Sequence, residues 1–133
     1  MALTGPVAVA QTDTAYGNII IDASAQTEVV IDTEATVREY FADIPVMIQV
    51  ARCESTFRHT LADGTVLRGH VDNRDTGVMQ INTGYHGATA DTLELDLENI
   101  YDNMAYARDL YERQGTQPWS ASRPCWSRTL ASA

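Results

Sequence analysis

The chain contains no lysine. All nine of its basic residues are arginine, set against 18 carboxylates, for a formal net charge of −9. A protein that grips a phosphate backbone relies on basic clusters, and one that docks on anionic lipid relies on basic runs. Nucleic acid and membrane surfaces are therefore not expected partners, while neutral ligands such as sugars stay open. No run approaches the roughly 18 apolar residues that a spanning helix needs, so membrane insertion is not expected. Cysteine is scarce too: Cys53 and Cys125 are the only two. Two cannot build a disulfide scaffold or a four-ligand zinc site. They are either two buried thiols or one bridge, which would imply an oxidising, exported setting. His59, His70 and His86 stand eleven and sixteen residues apart, a spacing that matches no helical metal pair. No metal and no cofactor is expected.

What is present suits one domain. The 133 residues are 44% hydrophobic, enough for a core. Residues 1–32 hold no basic residue and read as an arm or linker, with short β-branched runs at Ile19–Ile21 and Val29–Ile31. The opening MALTGPVAVAQ lacks the basic start of an export signal, although Ala8-Val9-Ala10 has the form of a cleavage site. Residues 33–133 form the expected domain. Thr33 suits an N-cap, with Val37, Tyr40 and Phe41 on one helical face. Asp43 and Pro45 start a second helix, whose Ile44, Met47, Ile48 and Ala51 lead to Glu54. That helix is nearly all apolar, so it is expected to be the central buried one.

Asp63-Gly64, between Thr60-Leu61-Ala62 and Thr65-Val66-Leu67, predicts a small β-hairpin. A polar loop runs from Arg68 to Asp75, and a buried element begins at Gly77–Ile81. Gly84, Gly87 and Ala88 loosen the chain, and Asp91–Glu94 suits a short helical turn. A long C-terminal helix is expected over Leu97–Gln114, with Asp96 as its N-cap and Gly115 as its stop. The tail PWSASRPCW carries two Trp and Cys125 and is expected to pack on the body, with both Trp as core plugs. The fold class is thus α+β, mainly α.

The chemistry centres on two carboxylates. Glu54 sits where an apolar helix ends. Apolar neighbours and the negative end of the helix dipole both disfavour its charged form, which suits a general acid. Asp75 lies on a polar element beyond the hairpin. One protonated and one ionised carboxyl is the pairing that cleaves glycosidic bonds. Tyr85 and His86 follow the Gly-Val-Met-Gln-Ile-Asn segment and could line the same groove.

At these residues the chain resembles a known family. Glu54-Ser55-Thr56-Phe57-Arg58 is similar to the Glu-Ser-x-Phe signature of lytic transglycosylases with a soluble-lytic-transglycosylase domain. Gly77-Val78-Met79-Gln80-Ile81-Asn82 is similar to their Gly-Leu-Met-Gln-Ile segment. Asn99-Ile100 with Tyr106-Ala107-Arg108-Asp109-Leu110 resembles their third helical motif. The Asp75–Asn82 stretch also resembles animal-type lysozymes. The resemblance covers roughly Thr33 to Arg128. It implies a lysozyme-like fold and cleavage of the β-1,4 bond between N-acetylmuramic acid and N-acetylglucosamine in peptidoglycan.

That resemblance makes Glu54 the acid/base and Ser55 a group bonding substrate or Glu54. Met79, Gln80 and Tyr106 become substrate contacts, and Asn82 and Tyr85 are expected to contact substrate beside them. It implies a monomer working outside the cell, in the periplasm or at the cell wall. Two departures stand out. The family's late Ala-Tyr-Asn-Ala-Gly segment is here Trp119-Ser120-Ala121-Ser122, so its Asn has no counterpart. Asp75 is a second carboxylate that a transglycosylase does not need. Beside Glu54 it would allow hydrolysis, retaining at separations of about 5–5.5 Å and inverting at about 6.5–9.5 Å. Transglycosylase is the first expectation, hydrolytic lysozyme the second, and a non-catalytic glycan-binding module the third.

Overall fold

The computed structural model describes residues 18–22 and 27–131, with side chains from 32 to 128. The Ala8-Val9-Ala10 segment lies outside the described residues. Two expected β-branched runs are strands, β1 (Asn18–Asp22) and β2 (Thr27–Ile31), paired antiparallel. The remainder is mainly helical: α1 (Thr33–Tyr40), α2 (Pro45–Ser55), α3 (Thr83–Thr92), α4 (Ile100–Gln114), a 3-10 helix (Gln117–Ser122) and α5 (Arg123–Ala131). A second small sheet joins β3 (Asp75–Thr76) to β4 (Ile81–Asn82).

The helix α1 is capped by Asp32, whose carboxylate accepts from the Ala35 N–H. Thr33, the expected cap, is instead its first residue and is buried. Val37 and Phe41 turn inward. A sharp corner then leads to α2. Arg108 of α4 forks onto Asp43 at 2.8 and 2.9 Å and donates to the Tyr40 carbonyl at 2.7 Å, tying that corner to α4. Pro45 opens α2, where the missing N–H costs nothing. Its Met47, Val50 and Ala51 are fully buried. Burying each of the larger two stabilises by about 1.5–3 kcal/mol before entropy is counted. As expected, α2 is the central helix: it packs against α1, α5 and the 3-10 helix.

The Asp63-Gly64 turn forms, with Asp63 accepting from Thr65. The ladder behind it is one bridge, Thr60 to Val66, rather than a full hairpin. Leu67 closes that bridge by donating to the His59 carbonyl, and the pairing stops there because the chain then pairs with β3: Gly77 donates to the Leu67 carbonyl, beside a second single bridge from Arg68 to Thr76.

Residues 77–80 form a turn held from inside by two buried polar side chains. The imidazole Nδ1 of His59 accepts from the Val78 N–H at 3.0 Å, and its Nε2 donates to the Glu98 carbonyl at 2.7 Å. The Asn103 Oδ1 accepts from the Met79 N–H at 3.0 Å, and its Nδ2 donates to Thr76 and Leu97 carbonyls. Both side chains are 0% exposed, and these five bonds all go to main chain. A buried polar group this fully bonded fixes one conformation, since any other leaves orphans. The cage leaves no room at Gly77, where φ is +73° and an added Cβ would lie 2.5 Å from His59 and 2.6 Å from Asn103. Gly77→Ala is expected to cost about 2–4 kcal/mol from the left-handed backbone and overpacking together. An unchanged urea midpoint would show that the turn is not so constrained.

Downstream, Thr83–Thr92 is a helix, where the glycines suggested a loosened chain. Asn82 caps it by accepting from the Gly84 and Tyr85 N–H groups. The long helix α4 starts at Ile100 and is capped by Asn99, three residues later than expected. Asp96 instead closes the preceding turn by accepting from Glu98. The tail packs as expected. Trp119 and Trp126 are 3% and 6% exposed; Trp119 Nε1 donates to the Met79 carbonyl and Trp126 Nε1 to the Trp119 carbonyl. Cys53 and Cys125 are bridged, Cα atoms 6.0 Å apart, joining the end of α2 to α5. No helix among the described residues is long and apolar enough to cross a membrane.

Candidate functional site

A cleft of about 420 Å³ opens between β3–β4, α3, the end of α4 and the 3-10 helix. Its walls are Asp75, Gln80, Ile81, Asn82, Tyr85, His86, Leu110, Gln114, Pro118 and Trp119. Five of the expected site residues therefore share one groove: Asp75, Gln80, Asn82, Tyr85 and His86. The other four do not face it directly.

Glu54 lies in the last turn of α2 and is half-buried. It is linked to the cleft through two partners. Ser122, three residues beyond Trp119 of the cleft wall, favours the charged form of the carboxyl. It also feels the charge of Asp75, which lies on the wall itself. Burial raises the pKa of Glu54 above the usual carboxylate value. Ser122 opposes that rise, and the negative charge of Asp75 adds to it. The expectation of a carboxyl favouring its protonated form therefore stands on burial first.

Ser55 is 2% exposed, and its hydroxyl donates to the Ala51 carbonyl at 2.9 Å, one turn back in α2. That proton is committed to the helix rather than to substrate or Glu54. Met79 is 0% exposed and belongs to the core. An apolar side chain in a turn caged by His59 and Asn103 points inward, so Met79 shapes the groove without lining it. Tyr106 is 1% exposed. Its hydroxyl lies 2.9 Å from Nδ1 of His86, so it stands behind the cleft wall and orients a residue that is on it. Burial first, then the nearby Arg113, lowers the pKa of His86 and favours the neutral ring.

On the wall, Gln80 holds a left-handed φ of +50°, and its amide N–H donates to the Gly77 carbonyl at 2.9 Å. Asn82 donates to Asp72 at 3.1 Å and to Asp75 at 3.0 Å, while its carbonyl oxygen caps α3. Asn82 thus orients the Asp75 carboxylate and has little capacity left for a ligand. Tyr85 is 78% exposed, with the Arg74 guanidinium 5.9 Å from its ring centre. A large exposed aromatic at a groove mouth offers an apolar face to a ring-shaped ligand.

Backbone strain gathers at the same place. Four non-glycine residues among those described have positive φ: Thr56, Phe57, Gln80 and Glu94. Thr56 and Phe57 follow directly on Glu54-Ser55, and Gln80 lines the cleft. Such conformations persist where surrounding structure over-determines them, and they concentrate at functional sites.

Sequence reasoning missed Ser122. It lies in the tail segment noted only as a departure from the family pattern. A usable signal was nonetheless present: Cys53 adjoins Glu54, and Ser122 precedes Cys125 by three residues, one helical turn. Any bridge between the cysteines brings that hydroxyl toward Glu54. Gln114 and Pro118 were also missed as wall residues, because only the fold carries the end of α4 to β4. Among the described residues no cluster of three or more His, Cys, Asp or Glu side chains is arranged to hold a metal ion. Compared with known proteins, the chain matches no family model, no curated protein and no solved structure.

Proposed function

We propose that the chain cleaves the glycan strands of peptidoglycan, at the β-1,4 bond between N-acetylmuramic acid and N-acetylglucosamine, from a lysozyme-like fold. One observation carries this reading: a half-buried carboxyl with a raised pKa, Glu54, is coupled to a groove whose wall bears Gln80, Tyr85, His86 and Gln114. Amides, a neutral imidazole and an exposed aromatic suit a ligand rich in hydroxyl and acetamido groups. The motif order quoted above supports the same reading. The bridge between Cys53 and Cys125 fits an oxidising compartment outside the cytosol.

The first reading of the chemistry is lytic transglycosylation. Glu54 donates its proton to the O4 leaving oxygen as the C1–O4 bond breaks. The C6 hydroxyl of the muramic acid then attacks C1 and gives its proton to Glu54. The product is a 1,6-anhydro end, Glu54 is regenerated, and no water is consumed. A second reading is favoured by one observation, the charge of Asp75 acting on Glu54 from the cleft wall. With Asp75 as the second carboxylate, hydrolysis proceeds with two carboxyls in divided roles.

Digesting purified peptidoglycan and separating the fragments by mass spectrometry tests both. Muropeptides ending in 1,6-anhydromuramic acid are expected. Reducing ends in their place would select the hydrolase, and binding without any release would leave only a glycan-binding module.

A further inference from the structure

We infer that Tyr106 and His86 act as a pair: the buried phenol fixes the imidazole so that its Nε2–H, on the cleft wall, selects a sugar bearing an acetamido carbonyl. This deepens the glycan reading proposed above and rests on it. His86 lies on α3 and lines the cleft. Tyr106 lies on α4 behind it and is 1% exposed. The phenol oxygen is 2.9 Å from His86 Nδ1, and the two rings meet edge-on with centres 5.4 Å apart.

The direction of that hydrogen bond decides the chemistry. A neutral imidazole carries its proton on one nitrogen and a lone pair on the other. If Nδ1 held the proton, it would donate to the phenol oxygen, and the phenol's own proton would be buried without an acceptor. Arg113, two turns along α4, also bears on the phenol, but a guanidinium only donates. Buried donors in folded proteins are almost always paired. The Tyr106 O–H therefore donates to Nδ1, and the His86 proton sits on Nε2. That nitrogen has no hydrogen-bond partner among the described residues, and it belongs to a ring on the cleft wall. Burial and the charge of Arg113 both favour the neutral ring. Arg113 is itself paired with Asp109 at 2.9 Å, and Asp75, the carboxyl on the same wall, is bonded by Asn82 at 3.0 Å.

A donor fixed in direction suits a group that only accepts. A sugar hydroxyl both donates and accepts, so many partners satisfy it. An acetamido carbonyl only accepts. The side-chain amide of Asn82 is committed to Asp72 and Asp75, and that of Gln80 already gives one hydrogen to the Gly77 carbonyl. The fold leaves the His86 donor open and aligned. Tyr85, next to it in the chain and 78% exposed, offers its ring to the sugar ring while His86 takes the substituent.

Long-range proton–nitrogen NMR of the histidine rings in the full chain at neutral pH reads the tautomer, with His86→Gln assigning the signal. Wild type is expected to show Nε2–H. Tyr106→Phe, which keeps the ring and the packing, is expected to show both tautomers. Selection is read by calorimetry in the Glu54→Gln chain, so that nothing is cleaved. Two neutral probes serve: the β-1,4 tetramer of N-acetylglucosamine, and cellotetraose, which has hydroxyls in place of the acetamido groups. The acetamido tetramer is expected to bind more tightly. Adding His86→Ala is expected to weaken it about 2–10-fold, the worth of one neutral hydrogen bond, and to leave cellotetraose unchanged. His86→Gln keeps a donor near the place of Nε2 and is expected to restore most of that loss. Equal weakening of both probes, a His86→Gln no better than His86→Ala, no preference for the acetamido tetramer, or Nδ1–H in wild type would each overturn the inference. Acetamido selection through His86 in a wild-type chain that releases nothing from peptidoglycan would sink the proposed reaction and leave the pair standing. Fragment release without that selection would do the reverse.

Discussion

Glu54→Gln will release peptidoglycan fragments about 10²–10⁴-fold more slowly than wild type, the usual contribution of general acid–base catalysis. Glutamine keeps the shape of the side chain, but it has no proton to give. The same variant is expected to be more stable than wild type at neutral pH. Burial raises the pKa of Glu54 in the folded state above its unfolded value. Between those two values the folded state binds more protons than the unfolded state, so stability falls as pH rises through that window. Above it the whole penalty of an ionised, half-buried carboxyl is carried, and below the unfolded pKa it vanishes. Glutamine never ionises. The melting temperature of E54Q should therefore exceed that of wild type at pH 8 and match it near pH 4. Activity lost and stability gained at one position is the mark of a site strained for function. An active E54Q would remove the acid/base role. An inactive E54Q with no gain at pH 8 would show that the carboxyl is not buried as described.

How far the sequence revealed this arrangement depended on how local each signal was. The core helix α2 was legible because its apolar run, its opening Pro45 and its end at Glu54 all lie within eleven residues. The tail was legible because two Trp and one Cys in so short a span have few ways to avoid the core. The helix α3 was not, since Gly84 and Gly87 are poor helix formers and only Ala90 is buried in it. What secures it is the Asn82 cap, whose carboxamide also reaches back to Asp72 and Asp75. The cap of α4 was ambiguous because Asp96 and Asn99 are both capping residues. The structure uses Asn99 for the helix and Asp96 for the turn before it.

The candidate site divides the same way. Glu54, Asp75 and Gln80 were visible because each is a distinctive residue in a motif, and Tyr85 because it follows one closely. The burial of Ser55, Met79 and Tyr106 was not, because a motif states which residue stands at a position and not which way it faces. His59 and Asn103 carry no signal at all in the sequence. A lone polar residue becomes structural only when main chain from distant segments arrives to meet it. Here His59 serves Val78 and the Glu98 carbonyl, and Asn103 serves Met79, Thr76 and Leu97.

Replacing both Cys53 and Cys125 with serine is expected to cost about 4 kcal/mol of folding stability. The bridge spans a sequence separation of 72 residues, and in the chain-entropy model an open loop of that length adds about that much freedom to the unfolded chain. For a domain of this size the melting temperature should fall by on the order of 15 °C. The loss should be larger locally than globally. The bridge fastens the segment that brings Ser122 to Glu54 and Trp119 to the cleft wall. The rest of the body keeps the Arg108–Asp43 fork and the His59 and Asn103 cage, none of which involves the tail. Partial loosening should therefore begin at the 3-10 helix and α5. Amide hydrogen exchange should show protection falling first there, while α2 and α4 exchange only with global unfolding. Adding reductant to the native chain should reproduce the pattern without any substitution. Equal urea midpoints with and without reductant would mean that the bridge is absent or contributes nothing. Uniform loss of protection would mean that the tail is not the part it holds.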